Sequence, residues 1–280
     1  MQQHIIKTSC ALLFVALLSA CTSTPKFDEK TEAAIEQLYQ RVQKNDEAAL
    51  KEMQRQAAQG DALAQDRLGL AYTQGKGIQQ DYTQAMVWLE RSAAQGYSYA
   101  AFRLGFLYEA GLGIDRDITT ACHWYQRAAE AGNNAAAYNL ALILYRSDNK
   151  SVRDLAQAAR WFEQAAKGGN VYAQYNLALI YQAGEEVAQD FIKSRYWFEK
   201  AAAQHNGAAM YELGKIFEQG AGVSQDPVRA LEWYRKGAAA GNTPSGIRIS
   251  DAYRYGQLGL GRDTKLADEW QERFPQLHLR

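Results

Sequence analysis

The chain has 280 residues, and its 31 Lys and Arg are matched by 31 Asp and Glu, giving a formal net charge of zero at pH 7. A neutral chain lacks the electrostatic footprint of a protein whose principal partner is nucleic acid or an acidic membrane surface, and neither is expected. With 47% hydrophobic residues, only 4 prolines and no alternating strand pattern, the composition points to an all-α architecture.

In chain order, residues 1–20 read first as a targeting segment. Lys7 gives a short positive start, Ala11 to Leu18 form an apolar stretch too short to span a bilayer, and Leu18-Ser19-Ala20-Cys21 closes it. This pattern resembles a bacterial lipoprotein signal, the alternative being an ordinary secretory signal with an incidental cysteine. The resemblance implies cleavage before Cys21 and lipidation of its sulfur and new amino terminus. Several acyl chains suffice for anchoring, since each buried methylene contributes ~0.8 kcal/mol. Thr22 stands where lipoproteins retained in the inner membrane often carry aspartate. The resemblance therefore implies the inner leaflet of the outer membrane, facing the periplasm, with the lipid as the only membrane contact. The polar stretch that follows the cysteine within 21–30 is expected to be a tether.

Residues 31–60 predict a degenerate capping helix pair, over 31–43 and 46–59, capped at Asn45 or Asp46 and ending in Ala57-Ala58-Gln59-Gly60. Beyond it the sequence is periodic. All six tryptophans, Trp88, Trp124, Trp161, Trp197, Trp233 and Trp270, recur every 36 or 37 residues. A fixed period of this length marks a solenoid whose unit cannot bury its apolar face alone. The units run 61–96, 97–132, 133–169, 170–206, 207–241 and 242–274.

Each unit predicts two helices. Helix A carries Leu68, Leu104, Leu140, Leu177, Leu213 or Ile249, then a small residue, then an apolar residue four positions after the first. Glycines such as Gly75, Gly111 and Gly220 end it. Helix B is expected to start at Asp81, Asp117, Asp154, Asp190, Asp226 and Asp263 as N-caps, with Pro227 in the first helical position. Three residues before each tryptophan stands Ala85, Ala121, Ala158, Ser194, Ala230 or Ala267, small enough for helix A to approach. Helix B then ends in an alanine pair and a glycine, with His205 in the glycine's place in the fourth unit. The third unit has lost both loop glycines.

These six copies of Leu-Gly-x-x-Tyr, Asp, Ala-x-x-Trp-Tyr and Ala-Ala-x-x-Gly closely resemble the Sel-one-like repeat family, a longer relative of the tetratricopeptide repeat. The resemblance implies a right-handed α-solenoid of helix-turn-helix repeats of about 36 residues.

Catalytic chemistry is not expected, nor is a cofactor. His123, His205 and His278 fall in separate places with no metal-ligand spacing, so no metal is predicted. Gly111-Leu112-Gly113 recurs as a helix stop and follows no strand, unlike a phosphate loop. No serine lies in a strand-to-helix elbow. Cys122 is the one thiol left after Cys10 and Cys21, and it reads as a small apolar filler with no cation placed to activate it.

If the units stack as in tetratricopeptide arrays, positions two before and two after the helix A leucine face the inner side. The expected partner-binding strip is then Phe102, Arg103, Phe106, Tyr138, Asn139, Leu142, Tyr145, Tyr175, Asn176, Leu179 and Tyr211. In related arrays an asparagine just before the leucine hydrogen-bonds an extended peptide, while aromatics supply contact area. The competing reading is that the aromatics form the packing seam between units. Lys215 and Asp251 interrupt the apolar row, which assigns the strip to units two to four. On this reading Tyr138→Ala with Tyr175→Ala abolishes partner capture and leaves melting nearly unchanged.

The resemblance implies a scaffold that binds a protein or extended peptide. Stand-alone lipoproteins of the family include immunity proteins that neutralise toxic effectors, such as a lipase or wall hydrolase, and that role is placed first. Regulation of peptidoglycan or envelope-assembly enzymes is the alternative, and hydrolysis of β-lactam or peptidoglycan bonds is a reading from another class.

Overall fold

The computed structural model describes residues 29–148 and 152–275. Among these the chain is all helix, without a strand, and it divides into two compact units at Gly132 and Asn133. The expected lipidation site Cys21 and His278 lie outside the described residues.

The first unit contains α1 (Glu29–Val42), α2 (Glu47–Ala58), α3 (Ala62–Gln74), α4 (Tyr82–Ala94), α5 (Ser98–Ala110) and α6 (Ile118–Glu130). The second contains α7 (Asn134–Arg146), α8 (Leu155–Lys167), α9 (Val171–Ala183), α10 (Phe191–Ala203), α11 (Gly207–Gln219), α12 (Pro227–Ala239), α13 (Thr243–Tyr255) and α14 (Thr264–Arg273). In each unit helix A pairs with the helix B that follows it, and the pairs stack into a solenoid.

Local chemistry starts and stops these helices. All six helix B aspartates accept a hydrogen bond from an N–H in the first turn, as Asp81 does from Gln84 at 2.9 Å, relieving donors that the helix cannot satisfy itself. Helix A has its own side-chain caps, which the repeat pattern does not single out: Asp61, Asn133, Asn170, Asn206 and Asn242. Left-handed glycines close α3, α5, α9, α11 and α13, whereas α7 ends at Ser147 in an extended conformation, since the third repeat lacks the glycine. His205 adopts φ 62°, the left-handed geometry of the glycines it replaces. The second loop glycine serves packing as well: a Cβ on Gly113 would lie 2.1 Å from Tyr82 Cβ.

The centre of each of the first five repeats is the residue after the tryptophan, Leu89 in the first, whereas the sixth has the half-buried Gln271 there. Tyr125, Phe162, Phe198 and Tyr234 are fully buried, while five of the six tryptophans are only half-buried and Trp197 alone is buried. Three of the half-buried indoles are flanked by cations one turn on, Arg91 4.7 Å from the Trp88 ring, Arg127 4.9 Å from Trp124 and Lys236 4.4 Å from Trp233. Ile35, Tyr39, Val42 and Met53 of α1 and α2 share one core with Leu63 and Leu68 of α3, so the N-terminal pair covers the end of the first repeat. Glutamines stitch neighbouring helices. Gln65 donates to the Ala57 carbonyl and receives Gln95, and Gln174 does the same between Ala166 and Gln204. No helix among the described residues is long and apolar enough to cross a membrane.

Candidate functional site

In the first unit the candidate face lies on α5. Residues 99, 102, 106 and 109 are spaced by three or four and share one side of the helix. Phe106 is 47% exposed and Tyr99 55% exposed, large values for aromatic rings. Phe102 between them is half-buried, its ring 5.8 Å from that of Tyr125. Gly105 permits this approach, because a Cβ there would meet the Tyr125 ring at 2.7 Å. The Tyr125 hydroxyl donates to Glu109 Oε2 at 2.6 Å and so fixes that half-buried carboxylate.

Arg103, expected on the partner-binding strip, is engaged within the chain. Its Nη1 donates at 2.8 Å to Asp66, a fully buried carboxylate that also receives Arg67 at 2.6 Å, and Arg67 reaches Glu36 of α1 at 2.9 Å. Asp66 stands where the second to fifth repeats place an aromatic ring. Burial pushes its carboxyl up against the opposing pull of Arg103 and Arg67. The neighbouring Tyr97 hydroxyl is pushed up to about 12 by burial, then by the charge of Asp66. Arg103 therefore ties the second repeat to the first. The sequence signal for this tie is Asp66 itself, a carboxylate at an aromatic phase.

In the second unit the face runs over α7, α9 and α11. Tyr138 and Tyr145 of α7 both pack on Phe162, at 6.0 Å each, and Tyr138 also reaches Tyr172 of the next repeat at 6.4 Å. Tyr175 lies 5.7 Å from Phe198, and Tyr211 5.7 Å from Tyr234. Burial raises the hydroxyl pKa of Tyr138 and Tyr175. Asn139, Leu142 and Leu179 are half-buried. Tyr172 is 62% exposed, the most open ring on this face. Asn176 corrects the expectation of a free peptide-binding amide: it is buried, and its Nδ2 donates to the Tyr172 carbonyl of its own helix at 2.9 Å. Lys215 is engaged by Glu212 at 2.9 Å and stands 5.6 Å from the Tyr211 ring.

Phe102, Tyr138, Tyr175 and Tyr211 thus belong partly to the seam inside each repeat, between helix A and helix B. On α5, α7, α9 and α11 the open aromatic surface is carried by Phe106, Tyr99 and Tyr172. The last two stand five residues before the leucine, a position that helical spacing reveals once the face is extended one turn towards the N-terminus.

Other reactive groups stand apart. Cys122 is half-buried, and burial, followed by the charges of Glu109 and Asp117, pushes its thiol up to about 11. His123 and His205 are exposed. Among the described residues no group of three or more His, Cys, Asp or Glu could hold a metal ion.

Comparison with known proteins agrees with the periodicity. A family model described as Sel1 repeat matches residues 62–97, 98–133, 134–170, 171–206, 207–242 and 247–270. Among solved structures, a protective antigen with an SLR fold, present in uropathogenic Escherichia coli strains, is 31% identical with a TM-score of 0.77. That alignment covers 86% of this chain and 53% of the other, so the chain spans about half the length of the Escherichia coli protein. A Sel1 repeat protein from Oxalobacter formigenes is 27% identical over 86% of this chain and 97% of its own, with a TM-score of 0.62. An immunity protein from Pseudomonas aeruginosa matches at 20% identity and a TM-score of 0.42, over 77% of this chain and 81% of its own. A search of curated proteins finds no match.

Proposed function

The chain belongs to the Sel1 repeat family, whose arrays are scaffolds for protein interaction, and from that premise we propose a lipid-anchored scaffold of the bacterial envelope that captures a partner protein through its helix A faces. The observation that carries this reading is the set of open rings on those faces, Phe106 and Tyr99 in the first unit and Tyr172 in the second. Each rests on an ordered helix, and Tyr172 also rests against Tyr138, so little side-chain freedom is lost on binding. Covering one such ring contributes about 1.5–3 kcal/mol for full burial, and the already exposed part about half of that.

The partner is a protein or an extended segment of one. Within this reading, neutralisation of a toxic effector, such as a lipase or wall hydrolase, comes first. It asks only for a preformed complementary surface, whereas catalysis would need an assembled acid, base or nucleophile. The proposed location is the inner leaflet of the outer membrane, facing the periplasm, and it is supported by the segment ending at Cys21 and by Thr22.

The test has two arms. Cells expressing the tagged full chain or its Cys21→Ser variant are labelled with palmitate and fractionated, and label that persists in the variant would remove the anchor. Partners are then captured from detergent-solubilised envelopes with the wild type and with Phe106→Ser, Tyr172→Ser. A stoichiometric partner lost from the double variant, and whose toxicity the wild type suppresses, is the expected result. A partner retained by that variant would refute the face, and a captured wall enzyme with altered activity but no toxicity would replace neutralisation with regulation.

A further inference from the structure

The second and fifth repeats have the same construction on helix A. In each, a glycine after the leucine admits a tyrosine ring from helix B, an aromatic packs against that ring in a tilted arrangement, and the tyrosine hydroxyl donates at 2.6 Å to a glutamate five residues after the leucine. The matched groups are Phe102, Gly105, Tyr125 and Glu109 in one, and Tyr211, Gly214, Tyr234 and Glu218 in the other. The ring pairs agree closely, with centroids 5.8 Å apart at 44° and 5.7 Å apart at 48°.

The two carboxylates differ in what completes them. Glu218 receives the guanidinium of Arg248 from the following repeat, through Nε at 3.2 Å to both oxygens and through Nη2 to Oε1. Burial alone would raise the Glu218 carboxyl, but the Arg248 and Tyr234 hydrogen bonds overcome it and hold it below the usual carboxylate value. In the sequence, the residue at the phase of Arg248 in the repeat after Glu109 is Asn139, which carries no charge. Glu109 has Tyr125 as its donor and no ion-pair partner among the described residues, and Arg116 Nε donates to the Glu109 main-chain carbonyl at 3.0 Å. One turn away on the same face is the exposed Phe106.

We infer that Glu109 and the Tyr125 hydroxyl form a receptor for a guanidinium of the partner, with Phe106 covering the adjoining apolar part of the same segment. Arg248 on Glu218 shows inside this molecule what such a carboxylate takes, a planar fork matched to two oxygens already oriented by a tyrosine. The occupant is a segment of a partner protein with arginine beside an aliphatic or aromatic residue. This assignment rests on the helix A face being the partner surface.

The test uses the full chain in detergent, titrated by calorimetry with acetyl-Ala-Leu-Arg-Leu-Ala-amide and with its citrulline counterpart, which keeps the shape and loses the charge. The arginine peptide is expected to bind about fivefold more tightly, the range of a partly exposed ion pair. Glu109→Gln, which still accepts from Tyr125, should remove that preference and leave the citrulline peptide unchanged, while Phe106→Ala weakens both. Equal binding of the two peptides, failure of either to bind, or a preference that survives in Glu109→Gln would overturn the assignment. Equal binding that is lost in Phe106→Ala would overturn the guanidinium receptor and leave the face standing. An arginine preference that follows Glu109 but ignores Phe106 would do the reverse.

Discussion

Phe102 and Phe106 lie one turn apart on α5 and separate the two roles that this face combines. Phe102 packs on the fully buried Tyr125, whereas Phe106 is 47% exposed. Truncating a fully buried phenylalanine costs about 3–5 kcal/mol, so the half-buried Phe102→Ala should cost about 2 kcal/mol. For a chain of this size that corresponds to a fall in Tm of about 3–4 °C. Phe106→Ala removes a ring with one side in water and should stay within about 0.5 kcal/mol of the wild type. Thermal and urea unfolding followed by far-UV circular dichroism measures both variants, and partner capture is read in parallel. Phe106→Ala should lose capture without losing stability. If it proves as destabilising as Phe102→Ala, the exposed ring is a packing element and the argument for a binding face on α5 falls. Tyr138 and Tyr175 follow the Phe102 pattern, since both rest on buried rings of helix B. Their joint removal should lower stability as well as capture, contrary to the expectation from sequence.

Ser194 stands where five repeats have alanine, and its buried Oγ has no hydrogen-bond partner among the described residues. Ser194→Ala should therefore stabilise the chain by about 1 kcal/mol, and a loss of stability in urea unfolding would mean that the hydroxyl is bonded after all. Glu218 has a lowered carboxyl pKa, so its stabilising contribution is present above the unfolded value and disappears as pH falls through the folded one. Glu218→Gln should be less stable than wild type at pH 7, and the gap should close on acidification. A gap independent of pH would show that the ion pair with Arg248 contributes nothing through its charge. The Cys122 thiol, at about 11, should react with a maleimide far more slowly than free cysteine at pH 7, with a rate that climbs to about pH 11. A rate equal to that of free cysteine would contradict the burial assigned to it.

Features set by local chemistry are legible in the sequence alone. The tryptophan period, the helix B aspartate caps and the left-handed glycines each depend on a few neighbouring residues, and a repeated sequence states them several times over. What stays hidden depends on which atoms meet across helices. Asn176 and Asn139 share a phase, yet Asn176 turns inward onto the Tyr172 carbonyl. Arg103 looks available in the sequence because its partner, Asp66, lies one repeat earlier at a phase occupied elsewhere by aromatics. The tryptophans are rare and regular, but in the first five repeats the buried centre is the residue after them. Regularity in sequence marks a phase, not its depth.

A solenoid repeats its backbone, so each surface position is offered once per unit and only the side chains decide its use. At the position just before the leucine, Arg67 and Arg248 reach back to acids of the preceding helix pair, closing the array on itself. Where the same phase carries asparagine, no such cation is supplied, and the residues around it are left to other contacts. Glu109 and Glu218 are the same structural element under these two conditions: Arg248 of the following repeat completes Glu218, whereas Glu109 has no ion-pair partner among the described residues. Recognition in this fold therefore needs no dedicated loop or cavity. It requires only that a contact used for stacking in one repeat lose its partner in another, while the tyrosine that orients it stays in place.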